Sequence, residues 1–182
     1  MTGKQVFAQF QETANKWKTA LGTYSDTQLR AQSSPDEWSI GQVYIHILRS
    51  ALFFHGKQVD TCLQTSDNAN ESAHPQAAQM FEQGSMPPDR IKVPASPQYT
   101  PPQPDSKEQI LVLFGEVEVM MKRLGEEIDE AVNSGQTIGK TSHPRFQFFS
   151  AMEWYRLIEM HYRHHLLQKE RLDAFLAANS IQ

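Results

Sequence analysis

His161 and His165 stand four residues apart in the run from Glu153 to Gln168. Side chains at i and i+4 lie one above the other on a helix, so the two imidazoles can offer nitrogens to one point. Trp154, Leu157, Ile158, Leu172, Phe175 and Leu176 recur around them at spacings of three and four, and both histidines fall in that apolar row. A lone histidine on an apolar face is usually a core residue with a satisfied hydrogen bond. Two in one seam are harder to explain, because a buried polar ring costs free energy unless it finds a partner. First-row divalent metals take such pairs as ligands. A third ligand has to come from another helix.

That helix is expected to open at Trp38-Ser39-Ile40-Gly41-Gln42. Ser39 and Gln42 have capping-box spacing: the hydroxyl accepts from an early helical N–H and the amide reaches back. Ile40, Val43, Tyr44, Ile47, Ala51 and Phe54 continue an apolar stripe, and His46 lies at its border. His55 is nine residues further on and, at about 100° per residue, should point to the opposite side. The expected ligand set is therefore His46, His161 and His165. His164 is a rival, since it can pair with His161 at i, i+3, but it turns away from the Leu172 and Phe175 seam. His143, on a loop before the last helix, is another. Three neutral imidazoles leave at least one coordination position open, as in catalytic rather than closed structural sites.

The elements that must position these rings can be read in order. Val6, Phe7, Phe10, Ala14, Trp17 and Leu21 predict a first helix from about Lys4 to Leu21. A short turn of helix fits within Tyr24–Gln32, and Ser33-Ser34-Pro35-Asp36 reads as a loop. From Ser66 to Asp105 the character changes, with eight of the ten prolines and much Asn, Ser and Gln. This reads as an extended surface excursion, with a short helix within Ala77–Phe81. Ser106 and Gln109 predict a cap for the third helix, whose stripe is Ile110, Leu113, Phe114, Val117, Met121, Leu124 and Ile128. Glu126, Glu127, Asp129 and Glu130 read as a solvated face, and Asn133-Ser134-Gly135 as the stop. Ser150 and Glu153 cap the last helix, which runs to about Ala178. Thr137-Ile138 and Phe146–Phe149 are the only strand signals. Four amphipathic helices imply an all-α, four-helix bundle, with the proline-rich connection between its second and third helices.

The chain has 182 residues, enough for one domain with a proper core and short for two, so residues 1–182 are read as a single domain. Its formal net charge is -4, and no block of five like charges occurs, which argues against a nucleic-acid surface. Mean hydropathy is -0.55, and no stretch has the length or apolarity of a membrane span. The N-terminus enters a polar helical pattern without an apolar signal core, so the cytoplasm is the expected location. The single cysteine, Cys62, has no intramolecular partner and reads as a packed thiol in a reducing compartment.

Trp38-Ser39 followed by Gln42 and His46, His161 followed by His165 and Gln168, and His143-Pro144 with Phe146 before Glu153-Trp154 together resemble the motifs of DinB/YfiT-like proteins, in their order. The resemblance spans roughly the whole chain, loosely in the proline-rich middle. One departure is Gly41-Gln42, where many members carry an acidic residue at the second position. The resemblance implies a four-helix bundle with down-up-up-down connection and a three-histidine divalent-metal site, often for zinc or nickel, on His46, His161 and His165. It also implies a small-molecule substrate, and in many members a homodimer. Some members transfer low-molecular-weight thiols such as bacillithiol, mycothiol or glutathione, and others are regarded as metal-dependent hydrolases. A non-catalytic small-molecule-binding or stress-response protein is the alternative.

Overall fold

Hydroxyl side chains set where the helices begin in the computed structural model, which describes residues 1–88 and 100–181. Thr2 caps α1 (Gly3–Leu21), Ser25 caps α2 (Asp26–Arg30), Ser39 caps α3 (Ile40–Ser50) and Ser150 caps α7 (Ala151–Ala178). In all four the hydroxyl accepts the N–H three residues on, and that residue's side chain accepts the cap's own N–H. α6 (Lys107–Asn133) departs from the expected box. Ser106 Oγ accepts the Gln109 N–H, but Gln109 Oε1 reaches one residue further back, to the N–H of Asp105. α5 (Pro75–Gln83) lies within the polar excursion, with proline in its first turn and Gly84 at φ 63° closing it in the left-handed region.

The predicted second helix is longer and less regular than its periodicity suggests. α3 runs without a break into a π turn, Ala51–His55, and on into α4 (Gly56–Gln64). A π turn closes i→i+5 bonds and advances each residue by roughly 80° instead of about 100°. Over five residues this swings His55 by about a quarter turn from the side expected of it. His55 is 7% exposed and faces the interior, which corrects the sequence expectation. Gly56 makes the bend possible: a Cβ there would lie 2.3 Å from Met120 Sδ and 2.9 Å from the Ala51 carbonyl oxygen.

Four long rods, α1, α3-to-α4, α6 and α7, enclose the core, with α1 against α6 and α7 and the α3-to-α4 rod against the same two helices. Phe10, Trp17, Tyr44, Phe114, Met121, Trp154, Tyr155, Ile158 and Tyr162 fill it. Several rings tie their polar ends to helix carbonyls. Trp17 Nε1 donates to Tyr162 O at 3.1 Å, Tyr44 Oη to Trp17 O at 2.8 Å, and Tyr155 Oη to Met121 O at 2.6 Å. α1 meets α6 at Gly3 and Gly125, where a Cβ on Gly3 would sit 2.1 Å from the Gly125 oxygen. There Asp129 accepts the N–H groups of Gly3 and Lys4 at 2.7 and 3.1 Å. One member of the acidic cluster therefore caps α1 rather than only facing solvent.

Between α6 and α7 the chain forms an antiparallel hairpin of β1 (Lys140–His143) and β2 (Gln147–Ser150), pairing Lys140 with Ser150 and His143 with Gln147. The Phe146–Phe149 signal falls on β2, whereas Thr137-Ile138 precedes β1. The fold is all-α with this one small sheet among the described residues. Of the excursion's prolines, Pro94 and Pro97 lie outside the described residues. Its outgoing part is held by α7: Arg156 donates to Phe81 O at 2.5 Å and Arg163 to Gly84 O at 2.8 Å. Its returning part is clasped to the start of α3: Gln42 Nε2 donates to Pro101 O at 2.7 Å and Ser39 Oγ to Gln103 Oε1 at 2.9 Å. Among the described residues no helix is long and apolar enough to cross a membrane.

Candidate metal centre

The cap at Ser39 fixes the start of α3, and His46 follows two turns later at its inner border. The Trp38 ring packs on the His46 ring with centroids 4.9 Å apart. α7 brings His161 and His165 to the same place, because Trp154, Leu157 and Ile158 bury the face they share. His46 Nε2 lies 3.1 Å from His161 Nε2, and His165 Nε2 lies 3.0 Å from His161 Nε2. One nitrogen from each ring falls within 4.8 Å of the others, and the three rings are partly buried.

Hydrogen bonding sets the tautomer of one ring. His165 Nδ1 lies 2.9 Å from Gln168 Oε1, an acceptor, so Nδ1 carries the proton and Nε2 turns its lone pair to the centre. Burial pushes His46 down to about 4. Burial, helped by the nearby His46, pushes His165 to about 3 against the opposing pull of Gln168. Burial first, then the neighbouring imidazoles, holds His161 well below the ordinary histidine value. All three rings are thus neutral near pH 7, the form that binds metals.

This donor set fits a divalent ion. Two nitrogens bound at about 2.0–2.1 Å in tetrahedral geometry stand roughly 3.3 Å apart, close to the separations seen here. Hydrogen bonds among the three rings satisfy them poorly. His161 Nε2 has a ring nitrogen on each side, and the one on His165 is already a lone pair. A cation accepting all three lone pairs removes the conflict. Among the described residues no carboxylate or thiol joins the group. The Glu153 carboxylate is held in the α7 cap by the N–H and hydroxyl of Ser150, and Glu159 is held by Thr13 and Arg163. Cys62 is buried against Thr141 and Phe149, and burial raises its thiol pKa.

A family model described as the DinB superfamily matches residues 9–168. The chain belongs to the DinB superfamily. No curated protein and no solved structure matches it. The DinB-superfamily match takes in all three histidines and ends on Gln168, the residue that orients His165.

The rivals lie elsewhere in this DinB-superfamily fold. His164 has its ring centroid 5.5 Å from that of His165, with Nδ1 buried and without a hydrogen-bond partner among the described residues. His143 sits on β1 in a stack with Phe146, Phe149 and Trp154, at centroid distances of 4.9, 4.9 and 5.3 Å. The residue that periodicity misplaced is His55. Its ring meets that of His161 edge-on, with centroids 5.4 Å apart and planes at 89°. Only Gly56, directly after it, hints in the sequence at an irregular turn.

Proposed function

We propose that this chain is a metal-dependent enzyme whose divalent ion, zinc or nickel, is held by His46, His161 and His165 and activates water or a low-molecular-weight thiol toward a small-molecule substrate. The reading rests on one observation: His161 Nε2 lies 3.0–3.1 Å from the Nε2 atoms of His46 and His165, and one nitrogen from each of the three rings falls within 4.8 Å of the others. Imidazole donors suit either metal. A divalent ion held there supplies the positive charge that makes a nucleophile available near neutral pH.

The chain's own residues supply position and proton control. α3 and α7 hold the three rings from facing rods, so the ligands are set by packing and not by a loop. Gln168 keeps the proton of His165 on Nδ1. Trp38 covers one side of the His46 ring. Of the two reactions, thiol transfer to an electrophile asks less of the chain. A thiol loses its proton near pH 8.5 in water, far more readily than water does. Among the described residues no carboxylate stands in the cluster to act as base.

Elemental analysis of the purified native chain and of His161→Ala tests the site. A stoichiometric divalent metal in the first and its loss in the second are expected. Equal metal in both overturns the ligand set. A thiol offered with a panel of electrophiles, run beside esters and amides, separates transferase from hydrolase. Turnover that persists undiminished after chelation would overturn the metal-dependent reading, and a metal-loaded chain that turns over none of these substrates would favour a binding protein.

A further inference from the structure

We propose that His55 is a positioning residue for the metal centre: it fixes the ring of His161 and gives that ring a polar neighbour. The inference rests on the metal reading above and adds a residue to it. The three ligand rings are supported unequally. His165 has Gln168 on its Nδ1, and His46 has the tilted Trp38 ring beside it. His161, the middle ring of the three, has a buried Nδ1 with no hydrogen-bond partner among the described residues. A histidine that coordinates through one nitrogen normally donates the N–H of the other to a partner, which sets its tautomer and orientation. His55 is the imidazole placed edge-on against His161, at 5.4 Å between centroids, and it is not one of the three converging ligands.

Two costs meet at His55, and packing explains neither. Its own Nδ1 is buried and unpartnered among the described residues, a state that a phenylalanine or leucine would avoid. It also ends a π turn, a departure from α-helix that is uncommon and gathers at functional sites. The π turn is what brings the ring inward, since a continuous α-helix would carry it away from the centre. The Phe54 and Trp154 rings also lie near it, with centroids at 5.3 and 6.0 Å. A costly residue on a costly turn, directed at the least supported ligand, is the pattern of a device kept for function.

The full-length chain, stripped of metal and titrated with cobalt(II) against a competing chelator, provides the test. Visible absorption of the bound cobalt reports the ligand geometry. His55→Phe fills the space without a nitrogen, and His55→Asn keeps a polar group close to the Nδ1 position. We expect His55→Phe to weaken cobalt binding by roughly 10–100-fold and to alter the visible bands, while the metal-free chain melts no lower than the parent. His55→Asn should recover most of the affinity. That rescue separates positioning from space-filling, because phenylalanine is the better filler. Parental affinity and bands in His55→Phe overturn the inference, as does a loss in His55→Asn as deep as in His55→Phe. Should His55→Phe fail to fold, His55→Leu is compared with His55→Asn by the same criteria. A parent chain that binds no cobalt overturns this inference together with the metal reading. Cobalt bound by the parent, lost in His161→Ala and indifferent to position 55, overturns this inference alone.

Discussion

Gln168 decides which nitrogen His165 can offer. Its Oε1 accepts from Nδ1 at 2.9 Å, which leaves the Nε2 lone pair facing the other two rings. Gln168→Leu removes the acceptor while keeping most of the volume. Metal affinity should then fall by roughly 10–100-fold, with little change in the stability of the metal-free chain. Competition titration with a chromophoric chelator reads the first, and thermal melting in chelator reads the second. An unchanged affinity would mean that packing alone holds the His165 ring. The three converging histidines were legible in the sequence because a regular helix has a fixed period. His161 and His165 had to share a face, and His46 had to border a stripe. His55 was not legible for the same reason. Periodicity assumes an unbroken α-helix, and five residues of π turn are enough to move a side chain by about a quarter turn.

α7 carries a second set of polar contacts on another face. Glu159 is 4% exposed, accepts from Thr13 Oγ1 at 3.0 Å, and takes two bonds from Arg163 at 3.0 and 2.7 Å. Arg163 also donates to Gly84 O at the end of α5. One carboxylate thereby links α1, α7 and the start of the proline-rich excursion. Arg163 is itself 45% exposed, so water screens much of the pair. The larger penalty on truncation is the loss of hydrogen-bond partners around a buried position. Glu159→Ala should destabilise the chain by about 1–3 kcal/mol, and Glu159→Gln by less, because the amide still accepts from Thr13. Urea unfolding of the two variants checks the order, and equal losses would make charge the dominant contribution. The long helices could be read beforehand from their stripes, and the caps of α3 and α7 from the hydroxyl residues that precede them. Of the hairpin, only the second strand left a signal, at Phe146–Phe149. Its strands are four residues long and mostly half-exposed, too short for alternation to stand out.

Acid and metal should act on the whole molecule in opposite directions. Burial pushes His46 and His143 down to about 4 and His55 and His165 to about 3 in the folded chain. In the unfolded chain each histidine titrates near 6.5. Below that value the unfolded state takes up protons that the folded state refuses, so stability falls as pH falls. The contribution is fully present above about pH 6.5 and is lost progressively toward about pH 4 and below. In chelator, the melting temperature should be flat just above neutrality and drop steadily from about pH 6.5 downward. A flat profile down to pH 4.5 would mean that these rings are hydrated and titrate normally. A divalent ion held at the proposed site would do the reverse, since the three nitrogens converge in the folded chain and are dispersed in the unfolded one. At a free concentration 100 times the dissociation constant it adds about 2.7 kcal/mol. For a chain of this size that is a rise in melting temperature of roughly 5–11 °C near pH 7. The rise should vanish in His161→Ala and shrink as the pH is lowered, because protons and the ion compete for the same lone pairs. If a divalent ion raises the melting temperature of His161→Ala as much as that of the parent, the ion is bound elsewhere on the chain.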